Sequence, residues 1–290
     1  MRTTPAICFA SLVLALGYCV SAQATPYFFD GFDVSANTSD INADLGAPRQ
    51  GGAPAPVSWT ANSADYHLQM FGGGGPLQLA GDANPPFPGT TLASPSTSFT
   101  GFTGSGEVIG RKVEVTMDAY ANNAGGTYFT SSAITVASSA PLSPSGGTGG
   151  NDGFSVVFVE DTFAGNGNFI QLWDGSDIVG NLIPNPAGTG PGFVEIFIDD
   201  FGDGNPWDGV GSTSFGVAVN GVAIGGYTRG AGGYTSNYIT LEGQANTVGV
   251  QLATHTFDNL LVSSFPLPIP EPTAALLGLI GFTAVGLKRR

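Results

Sequence analysis

The stretch SFGVAVNGVAI, residues 214–224, decides the class of fold. Its two apolar runs flank Asn220-Gly221, the dipeptide that most strongly favours a two-residue β-hairpin turn because both positions tolerate positive φ. The Val, Phe and Ile side chains in those runs favour strands over helices. The stretch therefore predicts two neighbouring antiparallel strands.

Short strands of the same kind recur outside this hairpin. In residues 113–119, apolar side chains alternate with Glu114, Thr116 and Asp118, which is the period of a half-buried strand. Residues 154–159 are apolar on both faces, as a central strand would be. Further strands are predicted at residues 27–33, 169–173, 193–199, 239–241, 248–252 and 257–262.

Many short strands with Gly-rich connections predict an all-β fold, because each sheet must bury one face against another. We expect a jelly-roll β-sandwich over residues 25–265, with long Gly-rich loops. Residues 25–105 are predicted to be mostly loop, because a Gly run at 72–75 and a Pro-rich run at 85–88 interrupt regular elements.

The first and last strands of this body carry a more specific likeness. Residues 28–33 read Phe-Phe-Asp-Gly-Phe-Asp, and residues 255–262 read His-Thr-Phe-Asp-Asn-Leu-Leu-Val. Both resemble the terminal strands of concanavalin A-like, laminin-G-type jelly rolls. The resemblance implies that the two strands lie side by side, although residues 33–99 do not follow the pattern of that family.

The N-terminus has the features of a signal peptide that is removed on export. Arg2 precedes an apolar core at residues 7–20, and Ala22-Gln23-Ala24 forms the small-x-small pattern that signal peptidase cleaves. Residues 1–24 are therefore predicted to form a signal helix that is cleaved off. Both cysteines of the chain lie within it, so we expect the mature protein to contain no disulfide.

The C-terminal segment 268–290 has three parts. Pro270-Glu271-Pro272 is followed by an apolar run at residues 273–287, and Lys288, Arg289 and Arg290 end the chain. As a helix, the run measures about 20–23 Å, which is short of the ~30 Å hydrocarbon core of a bilayer.

This segment resembles the PEP-CTERM sorting signal, also called an ice-binding-protein C-terminal domain. The resemblance implies transient inner-membrane anchoring, processing by an exosortase-type enzyme, and delivery to the cell surface, the outer membrane or an exopolysaccharide matrix. An ordinary tail-anchoring helix is the alternative. Either way, the membrane is contacted only through this segment.

The chain is acidic, with a formal net charge of −14 and few cations. A protein of this charge lacks the Lys and Arg residues that neutralise phosphates, so nucleic acid is not an expected partner. Acidic residues beside Gly and Asn are typical of loops that hold divalent cations, and also of proteins kept soluble by their charge.

The richest polar cluster lies at residues 199–209. Calcium prefers six to eight oxygen ligands, and alternating Asp, Asn and Gly residues can turn several of them into one loop. The same residues also favour a metal-free turn. The candidate calcium ligands are Asp199, Asp200, Asp203, Asn205 and Asp208, and a second candidate set, suggested by the family layout, is Asp30, Asp33 and Asp258.

Glycoside hydrolysis needs two carboxyl groups about 5–9.5 Å apart. Glu195 and Asp199 share a face of one predicted strand but are four residues apart, about 13 Å at strand rise. Phe197 occupies the position between them, where retaining enzymes of this fold have a third acidic residue. No catalytic residues are therefore predicted, although carboxylates from different strands are left open.

Two tryptophans, Trp173 and Trp207, each lie beside Asp and Gly and are candidates for exposed rings that stack on sugars; a core or edge position is the alternative. Together, these features predict an exported, non-catalytic surface or matrix protein that associates with extracellular polysaccharide or has an adhesive role. The rival interpretation is a polysaccharide hydrolase or lyase of the concanavalin A-like class.

Overall fold

The computed structural model is built from β-strands. It describes residues 26–46, 49, 58–60, 68–79, 89–98, 109–122, 128–136, 153–161, 167–175, 177–188, 190–200, 211–230, 238–247 and 252–266. The strands, numbered in chain order, are β1 (Pro26–Asp30), β2 (Leu68–Met70), β3 (Leu77–Leu79), β4 (Gly89–Ala93), β5 (Ser96–Ser98), β6 (Ile109–Asn122), β7 (Tyr128–Val136), β8 (Phe154–Asp161), β9 (Gly167–Asp174), β10 (Asp177–Ile178), β11 (Ile183–Pro184), β12 (Gly192–Asp200), β13 (Thr213–Val219), β14 (Val222–Arg229), β15 (Tyr238–Thr247) and β16 (Leu252–Pro266).

The strands form two eight-stranded sheets in which all named pairs are antiparallel. The first sheet has the order β14-β13-β12-β6-β16-β3-β2, with β1 also paired to β16. The second sheet has the order β10-β9-β8-β7-β15-β4, with β11 paired to β9 and β5 paired to β15. The chain crosses between sheets after β3, β5, β6, β11, β14 and β15. The predicted all-β jelly-roll sandwich is confirmed.

One apolar core lies between the sheets. On β6, Val113, Val115 and Met117 are at most 1% exposed, while the intervening side chains are partly exposed, which confirms the predicted period of two. Val156 on β8 and Leu241 on β15 contribute to the core from the second sheet. The inward faces of both sheets are thus fixed by alternation along their strands.

The predicted hairpin is present between β13 and β14. Asn220 and Gly221 have φ values of 51° and 74°, as their turn requires. Val219 pairs with Val222 directly across the turn. This confirms the turn and places β14 at the edge of the first sheet.

The first and last strands are neighbours, as the family resemblance implied: Phe29 of β1 pairs with Leu261 of β16. The opening strand is shorter than predicted, because it ends at Asp30 rather than at residue 33. Phe32 has a φ of 54°, and its N–H donates to Asp30 Oδ1 at 2.9 Å. Of the strand predicted at 248–252, residues 248–251 lie outside the described residues.

Part of the region predicted to be loop is anchored by a buried ion pair. Arg49 donates from Nε and Nη2 to the two carboxylate oxygens of Asp30, at 2.9 Å each, and neither side chain is exposed. Trp59 Nε1 donates to the same carboxylate at 2.9 Å. Arg49 also donates to the carbonyl oxygens of Ile41 and Ala43. These bonds fix residues 41–46, Arg49 and Trp59 against the sandwich without regular strands.

Candidate functional site

On the outer face of the first sheet, large side chains of β12 lie beside small residues of β13 and β14, and we call this surface the trough. On β12, Phe193, Glu195, Phe197 and Asp199 alternate with core residues and so point outward. The residues opposite them are small. Ala218 pairs with Glu195 and Gly216 with Phe197, and Gly216 in turn pairs with Gly226 of β14. The trough therefore has a floor of small residues on β13 and β14 and a wall of larger side chains on β12.

A three-residue charged cluster lies where β12 pairs with β6, at the centre of the wall. Lys112 Nζ is 2.8 Å from Glu114 Oε1 and 3.3 Å from Glu195 Oε1. The same ammonium lies 5.8 Å from the centroid of the Phe197 ring. Burial acts to lower the pKa of Lys112, but the hydrogen bonds and charges of both glutamates outweigh it, and the net pKa is raised.

Strand register creates this cluster. Glu195 is directly opposite Glu114, and Phe197 is directly opposite Lys112. Side chains opposite each other in an antiparallel pair are about 4.5–5.5 Å apart at Cβ. Sequence reasoning missed the cluster because β6 and β12 are far apart in the chain. The outward alternation of each strand was readable from the sequence, whereas the pairing of those two strands was not.

The pKa values of three aspartates on the outer face of the same sheet are raised, which favours their neutral form. Burial raises the pKa of Asp118 to about 6, opposed by a hydrogen bond from the Ala119 N–H and reinforced by the charge of Glu160. Burial also raises the pKa of Asp199. Burial, with a further contribution from the Asp33 charge, raises the pKa of Asp258. The trough thus lies among carboxylates that hold protons more tightly than free aspartate.

The two carboxylate pairs considered for hydrolysis differ in geometry. Glu195 and Asp199 lie four residues apart on β12 with Phe197 between them, as the sequence indicated. Glu114 and Glu195, by contrast, both contact one ammonium from opposing strands. The two Oε1 atoms of this second pair therefore lie at most about 6 Å apart, and they share the Lys112 ammonium.

The first predicted calcium set is only partly described. Asp199 is a half-buried residue of β12, and Asp200 ends that strand. Asp203, Asn205, Asp208 and the candidate stacking residue Trp207 lie outside the described residues. Within the part of the chain that the structure describes, no group of three His, Cys, Asp or Glu side chains is arranged to hold a metal. The calcium loop stays a prediction.

In the second calcium set, the carboxylate oxygens of Asp30 are bonded to Arg49, Trp59 and the Phe32 N–H. Asp33 and Asp258 lie close enough for the charge of one to affect the other. The structure therefore brings together two members of this set and places the third in an ion pair.

Trp173 lies on the outer face of the second sheet and is only 6% exposed, which agrees with the alternative of a core or edge position and not with an exposed stacking ring. It packs in a small cluster with Ala133, Val157, Val159 and Phe169. Its Nε1 donates to Gln171 Oε1 at 3.3 Å. In this conformation its ring presents no open face for a sugar.

The signals at both ends lie outside the described residues. These include the cleavage residues Ala22 and Ala24 and the sorting residues Pro270, Glu271, Pro272, Lys288, Arg289 and Arg290. Among the residues that the structure does describe, no helix is long and apolar enough to cross a membrane.

The two packed antiparallel sheets define the chain as a jelly-roll β-sandwich. No family model and no curated protein sequence matches it. Among solved structures, it is similar to an endo-1,3-β-glucanase from Streptomyces sioyaensis, with 15% identity, a TM-score of 0.49, and coverage of 85% of this chain and 98% of the other.

The carbohydrate recognition domain of Emp47p is also similar, with 12% identity, a TM-score of 0.47, and coverage of 85% and 98%. Lectin II from Ulex europaeus has 13% identity, a TM-score of 0.39, and coverage of 80% and 99%.

Proposed function

We propose that this chain is an exported, non-catalytic carbohydrate-binding protein of the cell surface or the exopolysaccharide matrix. The observation that supports the proposal best is the trough on the outer face of the first sheet. Aromatic rings stack on the C–H faces of sugars, and charged groups beside them hydrogen-bond to hydroxyls. Phe193, Phe197 and the Lys112 cluster supply both kinds of contact along one wall.

The floor of the trough suits an extended chain. At Gly216, Ala218 and Gly226 no side chain extends beyond Cβ, so a polysaccharide can approach the sheet closely and contact the wall along its length. The acidic body favours neutral or cationic glycans over strongly anionic ones, because a net charge of −14 repels anions.

Delivery to the surface is part of the same proposal. We assign the N-terminal segment to signal peptidase and the Pro-Glu-Pro tail to an exosortase-type enzyme. Calcium, held by residues 199–208, is proposed to order the end of β12 beside the trough.

A glycan array and a pull-down with insoluble polysaccharides test the binding proposal. Phe193 is 38% exposed, so Phe193→Ala removes an aromatic surface at little cost to the fold. We expect this variant to lose retention. Leu182→Ala, at a 46% exposed position outside the trough, is the matched control and should retain binding. If the unmodified protein is not retained on any glycan, carbohydrate binding is excluded and an adhesive or structural role takes its place.

A second candidate function is polysaccharide hydrolysis, favoured by one observation: Glu114 and Glu195 lie opposite each other across β6 and β12. A substrate would have to displace the Lys112 ammonium before the two carboxyl groups could act as an acid and a nucleophile. The test is release of reducing sugar by the unmodified protein, with Glu114→Gln and Glu195→Gln as inactive variants. Turnover that survives both substitutions would reject this pair.

A further inference from the structure

The edges of the two sheets differ in how they are protected. The outer side of β2 is covered, because Met70 exchanges two backbone hydrogen bonds with Thr38, at 2.8 and 3.0 Å. Likewise, Ser96 of β5 is bridged to Thr60. At the other end of the second sheet, β10 and β11 have two residues each. Short or covered edges of this kind do not pair with other chains.

Within the described residues, strand β14 is neither short nor covered by another segment. It is eight residues long, and within the described residues it pairs only with β13. Its residues are largely exposed, with Val222 at 53%. It contains no Pro, Lys or carboxylate, and its one charged residue, Arg229, lies at its end, 3.4 Å from Asp174. Within the described residues, β14 is thus a long edge strand with a single charge at its end, which makes it a template for strand addition.

The neighbouring edge of the second sheet extends this apolar surface. A Cβ at Gly225 would lie 3.7 Å from Ile183 Cδ1, so the two edges meet at this point. Leu182, the residue before Ile183, is 46% exposed. Two of the exposed large hydrophobic side chains in the described part of the chain, Val222 and Leu182, thus belong to this one side of the sandwich.

We infer that β14 pairs antiparallel with β14 of a second copy of this chain, joining two first sheets across a two-fold axis. Such an interface must be self-complementary. A strand without carboxylates meets this condition in a chain of net charge −14, whose copies repel each other elsewhere. Gly225 and Gly226 lie near the middle of the strand, where they add no side chains to either face of the joined sheet.

Sedimentation velocity of the full chain in a non-ionic detergent, over a wide range of concentration, tests the inference. We expect a dimer that dissociates on dilution. The double variant Ala223→Lys/Thr228→Lys sets like charges against each other across the axis and should weaken the dimer about tenfold or more. The matched control, Gln69→Lys/Ser39→Lys, adds the same charge at the opposite, covered edge and should leave the dimer unchanged.

Hydrogen exchange gives a second readout that does not depend on substitution. Amides of β14 should exchange more slowly at high protein concentration, whereas those of β2 should not change. The inference is overturned if the unmodified chain is monomeric at every concentration, or if both double variants weaken the dimer equally. Concentration-independent exchange in β14 also overturns it. Matching thermal unfolding of all variants shows that the changes act on association.

Discussion

His255 lies between the two sheets, where its side chain is fully buried beside Thr130 and Gly243. The Thr130 hydroxyl donates to the Gln244 carbonyl at 3.1 Å, so His255 Nε2–H donates to Thr130 Oγ1, at 2.9 Å. Among the residues that the structure describes, none forms a hydrogen bond with Nδ1. A proton on Nδ1 would add a buried charge, and burial accordingly lowers the pKa of His255 to about 3.

This histidine predicts a loss of stability in acid. Its pKa is 6.5 when unfolded and about 3 when folded, so the unfolded state binds the additional proton between these values. The free energy of unfolding should therefore fall as the pH drops below 6.5, by about 1.4 kcal/mol per pH unit. Urea unfolding at a series of pH values measures this slope. The variant His255→Gln has no proton to gain and should show a flatter profile.

Asp118 provides a control, because its effect on stability in acid has the opposite sign to that of His255. Its folded pKa of about 6 lies above its usual 3.8, so it adds stability as the pH falls between these values. Asp118→Asn should steepen the acid loss and stabilise the protein above pH 7, where the half-buried carboxylate is charged. Equal slopes for the unmodified protein, His255→Gln and Asp118→Asn would contradict both assignments.

Among the elements, the β13–β14 hairpin depends on close backbone contact. A Cβ added at Gly226 would lie 2.5 Å from the Phe215 carbonyl oxygen, and backbone atoms cannot move aside without breaking strand pairing. We predict that Gly226→Ala costs about 1–3 kcal/mol in the free energy of unfolding. Urea unfolding measures this cost. Gly230→Ala, where no atom lies within 4 Å, is the matched control and should be close to neutral. Equal effects of the two substitutions would show that the contact is relaxed in solution.

The β13–β14 hairpin and strand β6 could be predicted from the sequence because their determinants are local. Alternation identified β6, and Asn220-Gly221 identified the turn. The Lys112 cluster could not be predicted in the same way, since it depends on the register between β6 and β12. The ion pair between Arg49 and Asp30 was missed for a related reason. The sequence around Arg49 has no hydrophobic period that would place its side chain, and only folding brings Asp30 next to it.

The acidic charge of the whole molecule affects how calcium binding must be tested, because any divalent cation screens it. If residues 199–208 bind calcium in the folded state only, the ion must raise the melting temperature, because ligand binding to the native state shifts the unfolding equilibrium. We expect a higher melting temperature in calcium than in chelator. Magnesium at equal ionic strength controls for screening of the −14 net charge. The same melting temperature in all three conditions would identify the segment as a metal-free turn.

In the proposed function, the two ends of the chain direct the delivery of this body. Under this proposal the apolar run at 273–287 is short for a bilayer, and we expect the three C-terminal cations to contribute about 1 kcal/mol each to holding it near an anionic surface. We predict that in a host with an exosortase-type system the exported protein begins near Thr25 and ends near Pro270-Glu271-Pro272. Intact mass measurement gives both ends.

Replacing Lys288, Arg289 and Arg290 by Ala should release the precursor from the membrane before processing, because the remaining segment is too short to anchor by burial alone. As a control, Arg229→Ala removes a partly exposed cation from the body and should leave processing unchanged. An exported protein that still carries Arg290 and stays in the membrane would instead establish the tail as a permanent anchor. The sandwich would then function while attached to the membrane rather than as a released matrix component.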